Sequence, residues 1–534
     1  PPDLARSADR PVDRPFRIAI VGAGPAGFYT AAALLAQSGG TAGSDLRIDL
    51  FDRLPTPYGL VRFGVAPDHP KIKEVVRVFE RVALDPRVRF LGNIDLGRDL
   101  SVADLRRHYD QIVIAVGGQS DRRLGVPGED LPGSHSSTAL VAWYSAHPDF
   151  LDLPVDLDCA VAAVVGAGNV AVDVARILGR NPLDLATTDI SDDALAALQT
   201  SRIRDVHFLV RRGPVQAKWS AGELKELAHL EGVDLIVDPR ELELDPGSER
   251  ELGDDPQAQK NMELLRAIAL RTPTGAPRRI HLRFRVSPVA IEAENGRVGG
   301  VRLARNRLVG EAGSLRAEGT GEEFVLAAGL VVRAVGYRSL PLADLPFDAK
   351  AAIIPNRGGR VIDPASGAAL PGLYVSGWVK RGPTGLIGSN KPDGAETAAA
   401  MREDLSTHSP SALAPLAAID ELLEERGLRR VDFAGWKRLD EIEITRGRAA
   451  GRPRVKFGRV EEMLAALGTG AEIGAQTTGE TLVALESPTG ETEALEALVH
   501  LAGDVGREEH QVRSTLEQDG GQGVFDFLRR LEEG

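Results

Sequence analysis

The sequence IAIVGAGPAG at residues 18–27 decides the fold, because an apolar run leads directly into a glycine-rich turn. The run predicts a buried strand, and the helix-favouring residues from Phe28 to Leu35 predict a helix after the turn. Strand, glycines and helix in this order are the context that a dinucleotide-binding turn requires. Gly22 allows the tight bend, Gly24 lets the backbone approach a pyrophosphate, and Gly27 lets the helix pack against the strand.

A second turn of the same kind lies at residues 161–171, which read VAAVVGAGNVA. Gly166 and Gly168 repeat the first two glycines, and Ala171, which replaces the third, still permits close packing. Two such turns predict an α/β protein with two doubly wound, Rossmann-like domains, each binding one dinucleotide. Two dinucleotides in one chain indicate two redox cofactors, and electron transfer between a nicotinamide and a flavin is the chemistry that we expect.

The two glycine turns are predicted to bind different nucleotides, because different residues end the strand that follows each turn. Asp52 ends the strand after the first turn, where a carboxylate accepts hydrogen bonds from ribose hydroxyls. Arg211 and Arg212 follow the strand at residues 206–210, where they would attract a 2′-phosphate that an acid would repel. The first turn is therefore predicted to bind FAD and the second NADP(H). The alternative for the two arginines is a solvated charged pair.

The composition excludes several classes of protein. With 64 Lys and Arg against 77 Asp and Glu, the net charge of −13 argues against nucleic-acid binding. No apolar stretch is long enough to span a bilayer, so we expect a cytoplasmic protein without a membrane span. Cys159 is the single cysteine, and a redox disulfide needs a pair, which excludes disulfide-reductase chemistry. The sequence contains no cluster of metal ligands, so we expect no metal.

The order of the predicted elements gives the domain boundaries. Strands ending in Ala-Val-Gly recur at residues 115–117 and 334–336, where we expect the chain to cross between two domains. The first domain is therefore predicted to be discontinuous. The predicted parts are a flexible arm (1–15), an FAD-binding domain (16–120 and 341–405), an NADP-binding domain (121–340), a C-terminal segment (406–468) and an accessory tail of unknown role (469–534). Helices are predicted at 394–405, 417–426, 461–467, 493–502 and 524–533.

Two further segments are hard to explain as packing alone. Residues 55–71 read PTPYGLVRFGVAPDHPK, and residues 377–388 read GWVKRGPTGLIG, with a short helix predicted near Gly385. With the two glycine turns, these segments resemble the adrenodoxin-reductase type of ferredoxin–NADP⁺ reductase, including its bacterial members, over about residues 16–468. Most related flavoproteins have an aspartate where this chain has Trp378, so that position separates subgroups.

The resemblance implies roles for individual residues. The FAD contacts that it and the first turn predict are Gly22, Gly24, Ala26, Gly27, Asp52, Leu60, Trp378, Gly385, Leu386 and Ile387. The predicted NADP contacts are Arg122, Gly166, Gly168, Asn169, Val170, Ala171, Val172, Arg211, Arg212, Glu223 and Gly385. His69 and Trp378 are expected beside the flavin in tuning roles, and His69 would tune hydride transfer or partner binding. The alternatives are a loop-stabilising role for His69, core packing for Trp378 and a solvated helix face for Glu223. Lys218 and Trp219 depart from the family pattern.

The expected activity is that of an FAD-dependent oxidoreductase that moves electrons between NADPH and a one-electron carrier. The expected partner is a small acidic ferredoxin, which would need a local basic patch on this acidic protein. Candidates for that patch are Lys260, Arg266, Arg271, Arg357, Arg360, Lys380 and Arg381. One alternative is an NADPH-dependent diaphorase or quinone reductase without a ferredoxin partner. Another is a non-catalytic NADP(H)-sensing module.

Overall fold

The computed structural model describes residues 15–37, 46–405 and 413–468. The predicted accessory tail, the two helices predicted within it, and all of the predicted arm except its last residue lie outside the described residues. One compact unit contains the described residues except Pro70–Glu74, which belong to a second unit. Among the described residues, no helix combines the length and apolar character needed to cross a bilayer.

The strands of the described residues follow one another through the chain from Phe16 to Val375. They are β1 (Phe16–Val21), β2 (Leu46–Asp52), β3 (Val88–Gly92), β4 (Gln111–Ile114), β5 (Ser120–Asp121), β6 (Ser134–Ser136), β7 (Val161–Gly166), β8 (Asp205–Val210), β9 (Val233–Val237), β10 (Arg278–Phe284), β11 (Val286–Glu294), β12 (Arg297–Val309), β13 (Arg316–Ala327), β14 (Leu330–Ala334), β15 (Tyr337–Arg338), β16 (Asn356–Arg357), β17 (Arg360–Ile362) and β18 (Ala369–Val375).

The α-helices alternate with these strands and then continue alone to the end of the described chain. They are α1 (Pro25–Gln37), α2 (Leu60–Phe63), α3 (Pro70–Lys73), α4 (Val76–Ala83), α5 (Val102–His108), α6 (Ser137–Tyr144), α7 (Asn169–Gly179), α8 (Pro182–Leu185), α9 (Asp192–Gln199), α10 (Ala221–Leu227), α11 (Pro246–Asp254), α12 (Pro256–Ala269), α13 (Trp378–Arg381), α14 (Asn390–Leu405), α15 (Ala418–Glu425), α16 (Phe433–Ala449) and α17 (Val460–Ala466).

The first sheet has the strand order β16-β17-β18-β4-β1-β2-β3. Strands β18, β4, β1, β2 and β3 are parallel, and the β16 and β17 edge is antiparallel. Ile18 and Ile20 belong to one core, and Ala19 and Val21 belong to another. Burial of both faces explains why β1 is continuously apolar rather than alternating. The sheet combines strands from the beginning of the chain with strands from residues 356–375.

The second sheet is entirely parallel, with the order β6-β14-β7-β8-β10-β9. Ala162 and Val164 of β7 enter one core, and Ala163 and Val165 enter another. That second core also contains residues of the antiparallel sheet β11-β12-β13, which the sequence did not predict. The prediction of two doubly wound α/β sheets is confirmed, while the exact domain boundaries stay a prediction.

The chain passes between the two sheets at the expected places. After the first sheet it forms β5, which pairs antiparallel with β15 on the return path. The backbone N–H of Arg122 donates to the Gly336 carbonyl at 2.9 Å, and Ser339 Oγ donates to the Gly117 carbonyl at 3.0 Å. The two Ala-Val-Gly endings therefore lie side by side. The chain passes from the first sheet to the second and back through the two-stranded pair β5–β15, which we call the crossing ribbon.

Residues 413–468 contain one helix that the sequence did not predict. Helices α15 and α17 match the predicted positions, whereas the 17-residue helix α16 was missed. Its buried residues include the charged Asp440 and Glu443 as well as Trp436 and Leu439. Charged residues at core positions obscure the apolar periodicity by which an amphipathic helix is recognised. Predicted helix 394–405 also begins earlier, at Asn390.

Glu443 accounts for the packing of α16 against the rest of the protein. Its fully buried carboxylate accepts two hydrogen bonds from the guanidinium of Arg62, at 2.9 and 2.5 Å, and one from the Phe457 backbone at 2.9 Å. Arg454 donates a further bond at 3.3 Å. Nearby, Lys456 Nζ donates to the carbonyl of Arg62. The C-terminal segment therefore holds α2, which lies within the loop at residues 55–69.

We predict that Glu443→Gln lowers the free energy of unfolding by about 3 kcal/mol, because the buried cation of Arg62 loses its counter-charge. Chemical denaturation of the purified protein measures this change. The control is Asp152→Asn, which removes the exposed ion pair with Arg459 and should leave the denaturation midpoint unchanged. Equal midpoints for Glu443→Gln and the wild type would contradict a stabilising role for the buried pair.

Candidate active site

The first glycine turn has the backbone geometry of a nucleotide site. Gly22 adopts a φ of +113° and donates its N–H to the Phe51 carbonyl at 2.8 Å. A Cβ on Gly27 would lie 2.0 Å from the Gly22 carbonyl oxygen, so only glycine fits there. Helix α1 starts at Pro25 and directs its N-terminus at the turn. These features explain the glycines physically; contact with FAD stays a prediction.

Asp52 holds this turn through its side chain. One carboxylate oxygen accepts the N–H of Ala23 at 2.9 Å, and the other accepts the N–H of Leu54 at 3.0 Å. A carboxylate has about four acceptor positions, so two remain for ribose hydroxyls. The predicted ribose contact is compatible with this arrangement, and Asp52 also has a structural role that the sequence did not reveal.

The loop at residues 55–69 packs directly against the first turn. Tyr58 donates its N–H to the Ala23 carbonyl at 2.7 Å and takes a φ of +82°, an unfavourable value for a residue with a side chain. A Cβ on Gly59 would lie 3.2 Å from Gly24 Cα. Leu60 follows at once as the first residue of α2. The loop backbone is thereby fixed beside the predicted pyrophosphate position.

The end of β18 closes the first site from the other side. Gly377 has a φ of +79°, and a Cβ there would lie 2.5 Å from Ala26 Cβ. Its N–H donates to the buried carboxylate of Asp393. Trp378 is half-buried, its indole N–H donates to the Thr384 carbonyl at 3.2 Å, and its ring lies 4.9 Å from that of Tyr337. Trp378 is therefore packed, and its contact with flavin stays a prediction.

The helix predicted near Gly385 was wrong: helix α14 begins at Asn390. Gly385 has a left-handed φ of +80°, and Ser389 Oγ accepts the N–H of Leu386, so the segment between them is a turn. Within the described residues, the N–H groups of Ile387 and the following Gly388 have no protein acceptor. Free backbone donors beside the glycine-lined turn fit the anionic edge of a flavin.

The second glycine turn repeats the pattern at the end of β7. A Cβ on Gly166 would lie 2.5 Å from the Ala334 carbonyl oxygen, whereas Gly168 is open, with nothing within 4 Å. Gly168 is also the N-cap of α7, and no side chain caps that helix. Asn169 Oδ1 accepts the N–H of Ser220 at 3.0 Å. Val170, Ala171 and Val172 belong to the first turn of α7; Ala171 and Val172 donate their N–H groups to the Gly168 carbonyl, whereas those of Asn169 and Val170 have no acceptor within the described residues and suit a pyrophosphate.

Arg211 and Arg212 lie immediately after β8. The Arg211 carbonyl accepts a hydrogen bond from Asn306 at 2.9 Å, and the Arg212 carbonyl accepts one from the Arg285 N–H at 3.0 Å, so the backbone is fixed. Arg211 is exposed and Arg212 half-buried. Neither guanidinium has a carboxylate partner among the described residues. Two unpaired cations on a rigid backbone fit a 2′-phosphate.

Arg176, on α7, joins the two nucleotide-binding sheets. Its guanidinium is fully buried and contacts Asp68 at 2.8 and 3.1 Å, Asp173 at 2.7 Å and Glu223 at 3.1 Å. A Glu226 oxygen lies 3.7 Å away. Asp68 belongs to the loop at residues 55–69, and Glu223 and Glu226 belong to α10. We call these five residues together with His69 the Arg176 cluster.

His69 faces Glu226 within this cluster, with Nε2 3.0 Å from Oε2. Burial alone would lower the pKa of His69, but the hydrogen bond to Glu226 and the carboxylates of Asp173 and Glu223 raise it above its ordinary value. Burial is the main cause that raises the pKa of Glu223 and that of Asp173; the carboxylate of Asp173 adds to the rise for Glu223, and that of Asp68 adds to the rise for Asp173. Glu223 accepts a hydrogen bond from the Arg176 guanidinium at 3.1 Å, so it does not lie on a fully solvated helix face.

His69, Asp173 and Glu223 could also be read as metal ligands, since their ligand atoms lie within 4.8 Å of one another. The guanidinium of Arg176 already bonds both carboxylates and supplies the cation that they need. The chemistry of the cluster is therefore that of an ion-pair network, and the absence of a metal stays a prediction.

Arg122 lines a cavity of about 500 Å³ beside the crossing ribbon. Gly336 and the segment Arg381–Thr384 line the same cavity, and that segment precedes Gly385. The structure therefore brings Arg122 close to the strand end that carries Trp378. The sequence predicted both Arg122 and Gly385 as NADP contacts, and the cavity brings Arg122 to the segment just before Gly385; contact with NADP stays a prediction.

Several basic residues suggested for partner docking are unsuitable in the structure. Lys380 is buried and bonds Glu396 at 2.6 Å, Arg360 is paired with Asp404 at 2.8 Å, and Arg381 lies 3.2 Å from Asp393. Their spacing in sequence resembled a surface patch, but carboxylates of α14 neutralise them. The remaining candidates are all exposed; they are Lys260, Arg266, Arg271 and Arg357. Arg271 lies beyond the end of α12.

The sequence did not identify the partners in the Arg176 cluster. Asp173 and Arg176, and likewise Glu223 and Glu226, are spaced three residues apart on their helices. That spacing places each pair on one helix face but does not say what the face meets. The loop that supplies Asp68 is more than 100 residues away from α7 along the chain.

Two largely parallel sheets, each with a glycine turn after a central strand and linked through the buried Arg176, define an oxidoreductase that binds two dinucleotides. The sequence profile described as Pyridine nucleotide-disulphide oxidoreductase matches residues 16–186. NADPH-ferredoxin reductase FprA of Mycobacterium tuberculosis is 44% identical over 84% of this chain and 99% of its own length. Human mitochondrial NADPH:adrenodoxin oxidoreductase is 41% identical over 85% of this chain and 92% of its own length.

A solved structure of Mycobacterium tuberculosis FprA in complex with NADPH superposes with a TM-score of 0.81, at 44% identity, covering 85% of this chain and all of that one. The chain belongs to the adrenodoxin-reductase-type ferredoxin–NADP⁺ reductase family. The profile's description includes disulphide oxidoreductases, but this chain has a single cysteine and therefore no pair to form a redox disulfide within the chain.

We predict that Gly377→Ala weakens FAD retention about tenfold, because the added Cβ would lie 2.5 Å from Ala26 and displace the start of α1. The ratio of flavin to protein absorbance after gel filtration measures this. Gly97→Ala is the matched control, since Gly97 also has a positive φ of +105° but nothing within 4 Å of its Cβ position. Equal flavin loss in both variants would assign the effect to backbone strain alone.

We predict that Glu226→Gln lowers the pKa of His69, because burial then outweighs the remaining carboxylates. In the wild type, protonated His69 stabilises the cluster at pH values below 6.5, and this contribution is lost as the pH rises through the raised pKa. An NMR titration of the histidine ring protons measures the shift. Glu231→Gln, at an exposed position after α10, is the control. An unchanged His69 titration would refute the ion pair.

Proposed function

We propose that this protein is an FAD-dependent oxidoreductase that passes electrons from NADPH to a one-electron carrier of the ferredoxin type. Family membership supports the activity, since FprA is named an NADPH-ferredoxin reductase and its human relative an NADPH:adrenodoxin oxidoreductase. The chain spans nearly the whole length of both relatives. The two glycine turns with different strand ends support the assignment of FAD to the first and NADPH to the second.

One observation carries the proposal: a single loop, residues 55–69, bonds both the first nucleotide turn and α7, the helix that follows the second turn. Tyr58 of the loop bonds Ala23 in the first turn, and Asp68, ten residues later, bonds Arg176. Arg176 is seven residues along α7 from Asn169, which is about 10 Å of helix. A connection this short limits the separation of the two turns and supports direct transfer between their ligands.

The residues fit FAD, because the glycines leave room for a pyrophosphate and backbone donors face the end of the site. When bound, FAD supplies the change from two-electron to one-electron chemistry that no side chain provides. The protein contributes position and charge. Asp52 orients the first turn, Gly377 and Ala26 fix the gap beside it, and Trp378 packs against Tyr337.

On the coenzyme side, we propose that the N-terminus of α7 binds the pyrophosphate and that Arg211 and Arg212 bind the 2′-phosphate. Arg122 and Glu223 would contact the remaining nucleotide. The hydrogen bond to Glu226 raises the pKa of His69, which favours a positive charge at the place where the loop meets α10. Such a charge would favour negative charge developing on a nearby ligand.

A quinone reductase without a ferredoxin partner is the second candidate, because the same flavin could reduce a diffusible acceptor. The exposed residues Lys260, Arg266 and Arg357 provide positive charge for an acidic carrier, which favours the ferredoxin proposal. Stopped-flow oxidation of the NADPH-reduced protein by ferredoxin and by a quinone separates the two. Faster oxidation by the quinone would reject ferredoxin as the carrier. A cytoplasmic location is part of the proposal, and cell fractionation would test it.

We predict that the purified protein is yellow and that NADPH bleaches its flavin faster than NADH does. In Arg211→Ala/Arg212→Ala, the preference for NADPH over NADH should fall about 100-fold, because two charge-assisted contacts to the 2′-phosphate are lost. The ratio of the two reduction rates at limiting coenzyme measures the preference.

The matched control is Arg77→Ala/Arg81→Ala, which removes two exposed arginines of α4. This control should keep the preference of the wild type. An unchanged preference in Arg211→Ala/Arg212→Ala would remove these arginines from the site. A colourless protein that NADPH cannot reduce would reject the proposed activity as a whole.

A further inference from the structure

Lys218 occupies a defined place beside the second glycine turn. Its backbone N–H donates to the carbonyl of Ala167 at 2.7 Å, and Ala167 lies between the two glycines of the turn. Two residues later, the Ser220 N–H donates to Asn169 Oδ1 at 3.0 Å. The segment carrying Lys218 therefore runs along the edge of the turn, bonded to it at both ends.

The backbone at Lys218 is rigid, although its side chain is not buried. Its neighbours Ala217 and Trp219 are 8% and 1% exposed, and the Trp219 carbonyl accepts a hydrogen bond from Asn261 at 3.1 Å. Lys218 itself is exposed, and within the described residues its ammonium group has no hydrogen-bond or ion-pair partner. A cation is thus presented from a fixed point without a carboxylate to neutralise it.

The position next to Lys218 suits an anion for an independent reason. Helix α7 has 11 residues, its N-cap is Gly168, and no side chain caps it. The space around Gly168 is open. Within the described residues, the N–H groups of Asn169 and Val170 at the start of the helix have no acceptor, whereas those of Ala171 and Val172 donate to the Gly168 carbonyl. The two unpaired donors can be satisfied by an acceptor from outside the protein. The backbone of Lys218 contacts the turn directly, so its flexible four-carbon side chain starts next to this position.

We propose that Lys218 binds the pyrophosphate of the nicotinamide coenzyme, as a point charge added to the N-terminus of α7. This inference rests on the proposed function, because it names a further coenzyme contact at the same site. Lys218 is distinct from Arg211 and Arg212, which follow a different strand and are assigned to the 2′-phosphate. Because the pyrophosphate occurs in both NADPH and NADH, Lys218 raises the affinity for both coenzymes and leaves the preference for NADPH unchanged.

Calorimetry on the full-length, FAD-loaded protein with three ligands distinguishes binding of the pyrophosphate from binding of the 2′-phosphate. NADP⁺ carries both the pyrophosphate and the 2′-phosphate, ADP-ribose carries only the pyrophosphate, and 2′-AMP carries only the 2′-phosphate. Lys218→Met keeps the aliphatic stem and removes the charge. We expect it to weaken NADP⁺ and ADP-ribose equally, by about tenfold, and to leave 2′-AMP within about twofold of the wild type.

Two further variants give the comparison its controls. Lys225→Met removes an exposed lysine of α10 seven residues away and should leave all three affinities unchanged. Lys218→Arg keeps the charge and should restore most of the affinity. Equal losses in Lys218→Met and Lys225→Met would mean a general effect of net charge and would overturn the proposal.

The remaining outcomes are equally decisive. An unchanged affinity of Lys218→Met for NADP⁺ would overturn the contact, and a loss confined to NADP⁺ and 2′-AMP would assign the lysine to the 2′-phosphate instead. Failure of the wild type to bind NADP⁺ would reject the proposed function itself. If NADPH reduces the wild type while Lys218→Met binds NADP⁺ with the wild-type affinity, only the role of Lys218 is rejected.

Discussion

The buried guanidinium of Arg176 is the interaction on which the candidate site depends. An unpaired charge in this position would cost several kcal/mol, so the carboxylates of Asp68, Asp173 and Glu223 must stay close to it. Asp68 comes from the loop on the first sheet, and the other two come from helices on the second. Because Arg176 is fully buried, the arrangement of the two nucleotide turns is coupled to ion pairing as well as to apolar contact.

The same physical principle operates at Arg62, in the middle of that loop. Glu443, with no exposed surface, compensates the charge of Arg62, and the C-terminal helix α16 supplies it. The loop is thus fixed by Arg62 at one point, by Tyr58 on the glycine turn at a second and by Asp68 at a third. A long loop held at three points is a rigid part of the site, which explains the unfavourable φ of Tyr58.

Charge pairing also sets the proposed coenzyme site apart from the rest of an acidic protein. Carboxylates neutralise many of the arginines, including Arg360 and Arg381, which had been candidates for partner docking. Arg211, Arg212 and Lys218 are exceptions among the described residues, and all three lie on backbone that hydrogen bonds hold beside the second turn or the strand after it. Unpaired cations on fixed backbone are what distinguishes a phosphate site from a solvated surface.

The sequence by itself determined the two glycine turns, the parallel sheets and the difference between Asp52 and the arginine pair. These features are local: the steric need for Gly22 and Gly27 and the residue at the end of the following strand are encoded within one β-α-β unit of the chain. Only the tertiary structure decided that Asp68 meets Arg176, that Lys380 is buried and that α16 packs through Glu443. Each of these depends on a charge partner from another element, and helix periodicity specifies a face without specifying its partner.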